Sequence, residues 1–526
     1  MSDKESKTEE YDPRDSLPGL SAANTVLDLD QALASAGDQF KVWSVAAFRL
    51  YGILGIAFLA SLSYGFDNSL MGSVNGLTQY TDYFHIKGGS TGGGQGITTA
   101  MLFNIFSLGG FAGALISGPA ADRWGRRVGM LIASFFLLIG VSLVTAAQNR
   151  AYLFVGRFLL GFGSCINNSA APPYIAEMAP PQWRGHMAGA YNTFNFIGGI
   201  VCSALVIGTG NMKGSISWRL PFALQFIPTV ALIVGVIFIP ESPRWLMSVG
   251  RKEEARAILA KYQGNGDPNA PLVVLQMQEM ESSIRNYHDV KWTEMFSTRS
   301  ARIRIAIPIW LGICYICSGF SIFNYSTVAF FLTGVRSQHA RLIFSFVSSA
   351  AGGAGSLFGA IFADRVGRRP LWLFGAFSCC ITLCLTAAFT ARSIAPAAIT
   401  FLVMFSFVMN ATYMPMQGMY PSECLPFAHR AKGFAVIALI DSACALIGNF
   451  AGSVAFDRIG WKYFLVFGVW NAFLTLTVYF VAVETKGRTL EELDEIFEAP
   501  NPVKASLRPR VKQEKQVVVD EKDEKS

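Results

Sequence analysis

Charge is what this chain has least of. Only 15% of its 526 residues are Asp, Glu, Lys or Arg, while 52% are hydrophobic. Soluble domains carry roughly a quarter charged residues, so a string of soluble domains, which the length alone would allow, is excluded. A basic leader is missing too. The first forty or so residues are polar and acidic (KESKTEEYDPRD), the reverse of a signal-peptide n-region. The first membrane helix then has to act as the targeting signal. No GxxxxGK[ST] phosphate loop occurs. GGSTGGGQG is rich in glycine but lacks the lysine, and it reads as a flexible loop. No nucleophile–base or metal-ligand constellation is found, so neither an enzyme nor a cofactor or metal is expected. Cys314 and Cys317 have CxxC spacing without a second pair, and the nine cysteines fall nearly all in apolar stretches. They read as small hydrophobes. The net charge of +7 does not point to nucleic acid, because the basic residues sit in short loops between apolar blocks. There they act as topology signals.

What is present is a series of apolar blocks of roughly 20 residues, the length that crosses a bilayer core as a helix. They lie near 47–74, 97–117, 128–147, 152–174, 186–209 and 219–239, then 304–332, 341–363, 370–391, 395–419, 431–454 and 462–483. The expected fold class is an all-α membrane protein of twelve transmembrane helices in two six-helix halves. The divisions are a disordered tail (1–45), a first half (46–240), a loop of amphipathic surface helices (241–303), a second half (304–484) and a tail (485–526). That last tail begins helically with TLEELDEIFE. RWGRR, PPQWRGH, RVGRRP and PFAHRAKG alternate with less basic loops, which places them, the middle loop and both termini in the cytoplasm.

Three motifs occur twice. DRWGRR at 122–127 returns as DRVGRR at 364–369, a shift of 242 residues. Glu177 and Arg184 return as Glu423 and Arg430, and Glu241 of PESPR returns as Glu484 of VETKGR, at shifts of 246 and 243. Nearly equal offsets in one order indicate a duplicated unit. Parallel repeats of this kind enclose a midplane site that rocking exposes to each side in turn.

GxxxDRxGRR, PESPRWL, Pro173–Tyr174–Glu177–Pro180–Arg184–Gly185 and the terminal ETKG resemble the fungal sugar porters of the major facilitator superfamily. YPSECLPFAHRAKG is closer to the lactose-permease-like branch than to the hexose branch. The resemblance implies the major facilitator fold, a small-molecule substrate and a latch at the cytoplasmic ends of the helices, closed when the carrier faces outward. Its members here would be Asp122, Arg123, Arg126, Arg127, Glu177, Arg184, Glu241 and Arg244. The second half would supply Asp364, Arg365, Arg368, Arg369, Glu423, Arg430, Glu484 and Arg488. The alternative is that these arginines only set topology. The paired acids speak against it, since acids contribute little to topology.

Ionisable residues inside apolar spans are functional candidates. Asp67 in YGFDNSLMG matches the family's GYD motif with Phe66 in place of Tyr, and in proton-coupled members the aspartate there carries the proton. Arg157 in GRFLLGFG is the arginine that pairs with it in the family. A nearby cation favours the ionised carboxylate, and separation lets a proton bind. The alternatives are a fixed ion pair or cap for Asp67 and a snorkelling arginine for Arg157. Asp441 in IALIDSACAL has no general family role. It could bind substrate hydroxyls, take a second proton or pair with a neighbouring helix.

A sugar site needs amides, hydroxyls and an aromatic platform. Where the family has Gln in the fifth span, this chain has Asn192, with Asn195 close by. The seventh span lacks the family's paired Gln and offers Ser318, Ser321, Asn324 and Tyr325. Gly418 stands at the tenth-span Trp position beside Gln417, and Asn449 lies on the eleventh. The candidate substrate residues are therefore Asn192, Asn195, Ser321, Asn324, Tyr325, Gln417, Asp441 and Asn449. Any one membrane Asn can equally be helix–helix glue. The expected function is proton-coupled symport of a mono- or disaccharide by a monomer in a plasma-membrane bilayer. The alternatives are a carrier of a polyol, organic acid or pathway product, inward or outward, and a sugar sensor.

Overall fold

The computed structural model describes residues 43–86, 97–285, 294–488 and 490–508. Twelve long helices carry the body. The first half comprises α1 (Val45–Val74), α2 (Ile97–Trp124), α3 (Arg126–Thr145), α4 (Arg150–Met178), α5 (Arg184–Thr209) and α6 (Ile216–Phe238). The second comprises α7 (Arg299–Asn324), α8 (Gln338–Val366), α9 (Arg368–Ala391), α10 (Ala395–Cys424), α11 (Phe427–Arg458) and α12 (Lys462–Val481). Among the described residues, eleven helices are long and apolar enough to cross a membrane. α4 falls short only in composition. Its 29 residues include Arg157, Asn167, Asn168 and two prolines, so it is as long as its neighbours but more polar.

Sequence signals end the helices where they are expected to. Ser44, Asn149, Thr298 and Ser337 cap α1, α4, α7 and α8 with their side-chain oxygens. Gly125 and Gly367, at φ +90° and +105°, turn α2 into α3 and α8 into α9. α6 is interrupted at Gln225, and α7 loosens to a π-turn at Ile316–Phe320 around Gly319 (φ +125°) before continuing as Ser326–Leu332.

The packing repeats as the motifs do. α1 lies on α5, α2 and α3 on α4, and α3 on α6; correspondingly α7 lies on α11, α8 and α9 on α10, and α9 on α12. The halves meet through α2 with α11 and through α5 with α8, contacts that exchange under the repeat. Large apolar side chains such as Leu115, Phe238, Phe374 and Phe480 face outward. In water such a surface would aggregate; in lipid it is the expected exterior.

The basic loops gather at one end of the bundle, the inner end. Between α6 and α7 in the chain, short helices Pro243–Ser248, Lys252–Tyr262 and Pro271–Arg285 pack together through Leu246, Leu259, Val273 and Met280. After α12, helices Leu490–Glu498 and Pro502–Ser506 dock back on the second half. There Arg304 of α7 pairs with Asp494 and lies 4.8 Å from the Phe497 ring.

Candidate functional site

Asp67 on α1 and Arg157 on α4 are 1% and 3% exposed. The guanidinium Nη1 donates to the two carboxylate oxygens at 3.1 and 3.2 Å. Gln225, at the interruption of α6, donates from Nε2 to Oδ1 at 3.3 Å. The Phe106 ring covers the guanidinium at 4.5 Å. Glycines permit this approach: a Cβ on Gly161 of α4 would lie 1.9 Å from the Phe106 carbonyl oxygen. The result is one acid, one cation and one neutral amide in a buried wall. Charges buried this way are stable only while paired.

Beside this wall, between the halves, lies a cavity of about 120 Å³. Asn68 and Ser69 of α1, Asn195 and Ser203 of α5, Asn324 of α7, Ser348 and Ser349 of α8 and Asn410 of α10 line it, with Phe196, Tyr315, Phe320 and Phe323. Amides, hydroxyls and ring faces together suit a small polyhydroxylated solute. Ordinary ligand pockets run to about 300–1,000 Å³, so this cavity is smaller than most. Hydrogen bonds joining the halves cluster at the midplane and the outer end. Thr78 donates from both N and Oγ1 to Gln338 (3.1 and 3.0 Å), Thr327 donates to the Gly72 carbonyl (3.1 Å), and Asn449 donates to Ser107 (3.4 Å).

The predicted substrate residues divide. Asn195 and Asn324 line the cavity. Asn449 and Tyr325 stand behind it: Asn324 donates to Asn449 Oδ1 at 2.7 Å, and the Tyr325 hydroxyl donates to the Asn449 carbonyl at 3.0 Å. Ser321 pairs with the Tyr463 hydroxyl and borders a different, almost wholly apolar groove between α7, α11 and α12. Asn192 is exposed on α5, and Gln417 is half-buried on α10, off the cavity wall. Asp441 lies against Gly312 of α7.

At the inner end two matching clamps form. Glu241 accepts from the backbone N–H of Arg126 (2.9 Å) and Arg127 (3.1 Å), capping α3. Arg126 pairs with Glu177 at 3.4 Å, and Ser242 donates to the same Glu177. In the second half Glu484 accepts from the N–H of Arg368 (3.0 Å) and Arg369 (3.1 Å), capping α9. Arg368 pairs with Glu423, to which Thr485 also donates. Gly125 and Gly367 are needed at these corners, since a Cβ would lie 2.3 and 2.8 Å from the capping carboxylates. Arg184 reaches Glu279 instead (3.9 Å), and Arg488 donates to the Ser506 and Arg508 carbonyls. Arg123 and Arg365 are exposed, and Arg244 has interactions of its own. The side chains of Asp122, Asp364 and Arg430 lie outside the described residues.

A family described as "Sugar (and other) transporter" matches residues 53–497. The chain belongs to that family. It is thus a multi-pass membrane protein of the major facilitator superfamily and not an enzyme. It is 30% identical over 487 residues to a high-affinity glucose transporter of Kluyveromyces lactis, covering 86% of this chain and 85% of that one. It is 26% identical to the MFS-type transporter criB of Aspergillus cristatus, covering 84% of this chain and 92% of that one. The inward-open xylose transporter XylE of Escherichia coli superimposes with a TM-score of 0.70 at 21% identity, covering 85% of this chain and all of that one.

Within this family framework, three contributors escaped the sequence reading. Gln225 was overlooked because an amide near the start of an apolar run carries no charge signal. The serines of α8 were overlooked because single hydroxyls are ordinary helix packing. Their clustering in FSFVSSAAGG was the available cue. The aromatic platform was sought at the tenth-span position, where Gly418 has open space beside it, yet α5 and α7 supply four rings.

Proposed function

We propose that the chain imports a mono- or disaccharide together with a proton, by alternating access, as a monomer at the plasma membrane with both termini in the cytoplasm. The observation that carries this reading is the buried Asp67–Arg157 pair beside a cavity lined by amides, hydroxyls and rings. Similarity to a glucose transporter and to a xylose symporter supports the solute class. Ion-pair closure of Asp67 corresponds to the proton-free carrier; opening of the α1–α4 contact lets the carboxylate load a proton from the outer side. Tying that step to cavity occupancy makes proton entry drive solute entry. The paired clamps hold the inner ends of each half as rigid units, so that the halves move as bodies.

Uptake of labelled sugars into transporter-deficient cells is the test. Wild-type protein is expected to accumulate one sugar, with saturation and sensitivity to an uncoupler. Asp67→Asn is expected to abolish accumulation while exchange of preloaded sugar persists. Full accumulation by that variant would remove the coupling mechanism.

A second reading keeps the carrier and changes the cargo to a polyol, organic acid or pathway product. It is favoured by the missing paired Gln on α7 and by Gly418 at the Trp position. Surface-expressed protein that moves no sugar from the panel would select it.

A further inference from the structure

Asp441 is the other acid set in the middle of a span, and the coupling scheme above leaves it unused. It lies on α11, eight residues toward the inner end from Asn449, or about 12 Å by helix rise. Its Oδ1 is buried and has no hydrogen-bond partner. The carboxylate occupies a notch that only glycine allows, since a Cβ on Gly312 of α7 would fall 2.1 Å from Oδ1. One turn along α7 from that notch, Tyr315 borders the central cavity, and its hydroxyl is engaged only by the Met414 sulfur at 3.8 Å. Tyr315 and Asp441 are within electrostatic reach of one another.

The charged surroundings differ from those of Asp67. Facing Asp441, α7 presents Tyr315 and α11 presents Cys444, both neutral at ordinary pH. Arg304 of α7 is engaged by Asp494. On α10 the acid Glu423 is held by Arg368. Arg123 of α2 lies roughly 12 Å nearer the inner end by helix rise. Lys432 of α11 lies nine residues, or roughly 13 Å by helix rise, nearer the inner end. Among the described residues, then, no ion pair to Asp441 forms. A carboxylate buried without a cation is costly, whereas the protonated acid is not.

We propose that Asp441 is a second proton-carrying carboxyl of the transport cycle, loaded from the cavity past Tyr315 and emptied toward the inner end. The step is a simple protonation: the neutral acid forms on loading, and carboxylate and proton are regenerated on release. The idea deepens the symport reading and rests on it for its coupling arm. Its first test needs no substrate. Infrared difference spectra of the reconstituted full chain, taken between pH 5 and 8, report protonated carboxyls. Wild type should show two buried carboxyl bands, with Asp67→Asn removing one and Asp441→Asn the other. Gly312→Ala, which must displace the carboxylate, should shift the Asp441 band and spare the other. An Asp441→Asn spectrum identical to wild type would overturn the proposal. The second test is accumulation of labelled D-glucose in proteoliposomes at one unit of pH difference and zero voltage. Two protons per sugar allow about hundredfold accumulation and one allows about tenfold. Asp441→Asn should fall from the first limit to the second, and an unchanged limit overturns the proposal. Wild type that accumulates no sugar of the panel, while each variant lacks one band, would sink the sugar reading and leave Asp441 a proton site.

Discussion

The two halves share one clamp but not one charge pair. Glu241, Arg126 and Glu177 are matched by Glu484, Arg368 and Glu423, down to the backbone N–H groups that each capping acid receives. Tyr174 and Tyr420 are matched too, each donating its hydroxyl to a carbonyl just before the capping acid. Arg157 has no such counterpart. At the shift of Glu177 to Glu423 it corresponds to Val403, within the apolar stretch ITFLVMFSF, and α7 contains no acid at all. Duplication has kept the structural joints in both halves and the paired charge in one. The joints are needed wherever two helices turn at the inner end. A buried ion pair is costly and adds little net stability, so the fold alone does not require it; under the proposed coupling, its presence in one half follows from its separation during the cycle.

The largest expected effect tests that asymmetry. Arg157→Ala leaves a buried carboxylate without its cation and should cost about 3–5 kcal/mol, read as lost folded protein and a lowered melting temperature in detergent. Combining it with Asp67→Asn should recover most of that stability without restoring accumulation. Val403→Ala at the corresponding place should cost only about 1 kcal/mol.

Next comes the clamp symmetry. Glu241→Ala and Glu484→Ala each leave two backbone N–H groups of a helix start without their acceptor. Each should cost about 1–3 kcal/mol, with similar drops in melting temperature. A large drop in one and none in the other would show that the two joints no longer share the load.

The smallest effects separate the two faces of α7. Asn324→Ala removes a cavity amide and should raise the KM for the transported solute about tenfold, worth roughly 1.4 kcal/mol. Ser321→Ala touches only the Tyr463 side and should leave KM within about twofold. Equal effects would place the solute on the wrong face of the helix.

Much of the fold was legible because its signals are local. Span length, the basic loops and three motifs recurring at similar offsets report on helices and duplication without knowledge of packing. Glu241 and Glu484 could be paired with the arginine motifs from the repeat alone. The candidate site was less legible. Asn195 and Asn324 were found, whereas Ser321, only three residues from Asn324, points to another groove. The π-turn at Ile316–Phe320 and the break at Tyr325 isolate Ser321–Asn324 as a segment of one turn, and regular helical spacing cannot anticipate which edge of it meets the cavity. Arg184 and Arg488 looked like latch members by motif, yet neither reaches a capping acid, because long side chains settle on whichever acceptor the tertiary structure brings near.

By itself the sequence determined that this chain lies in a membrane, that its spans fall into two related sets, and that acids and arginines meet at one end of each set. Hydrophobic length and repetition are properties of the chain and survive any packing. Only the tertiary structure decided that Gln225 joins Asp67 and Arg157, that serines of α8 face the cavity, and that Asp441 sits alone against a glycine. Those are matters of which side of a helix meets which neighbour. They depend on helix breaks and close approaches of a few ångströms, which no linear pattern records.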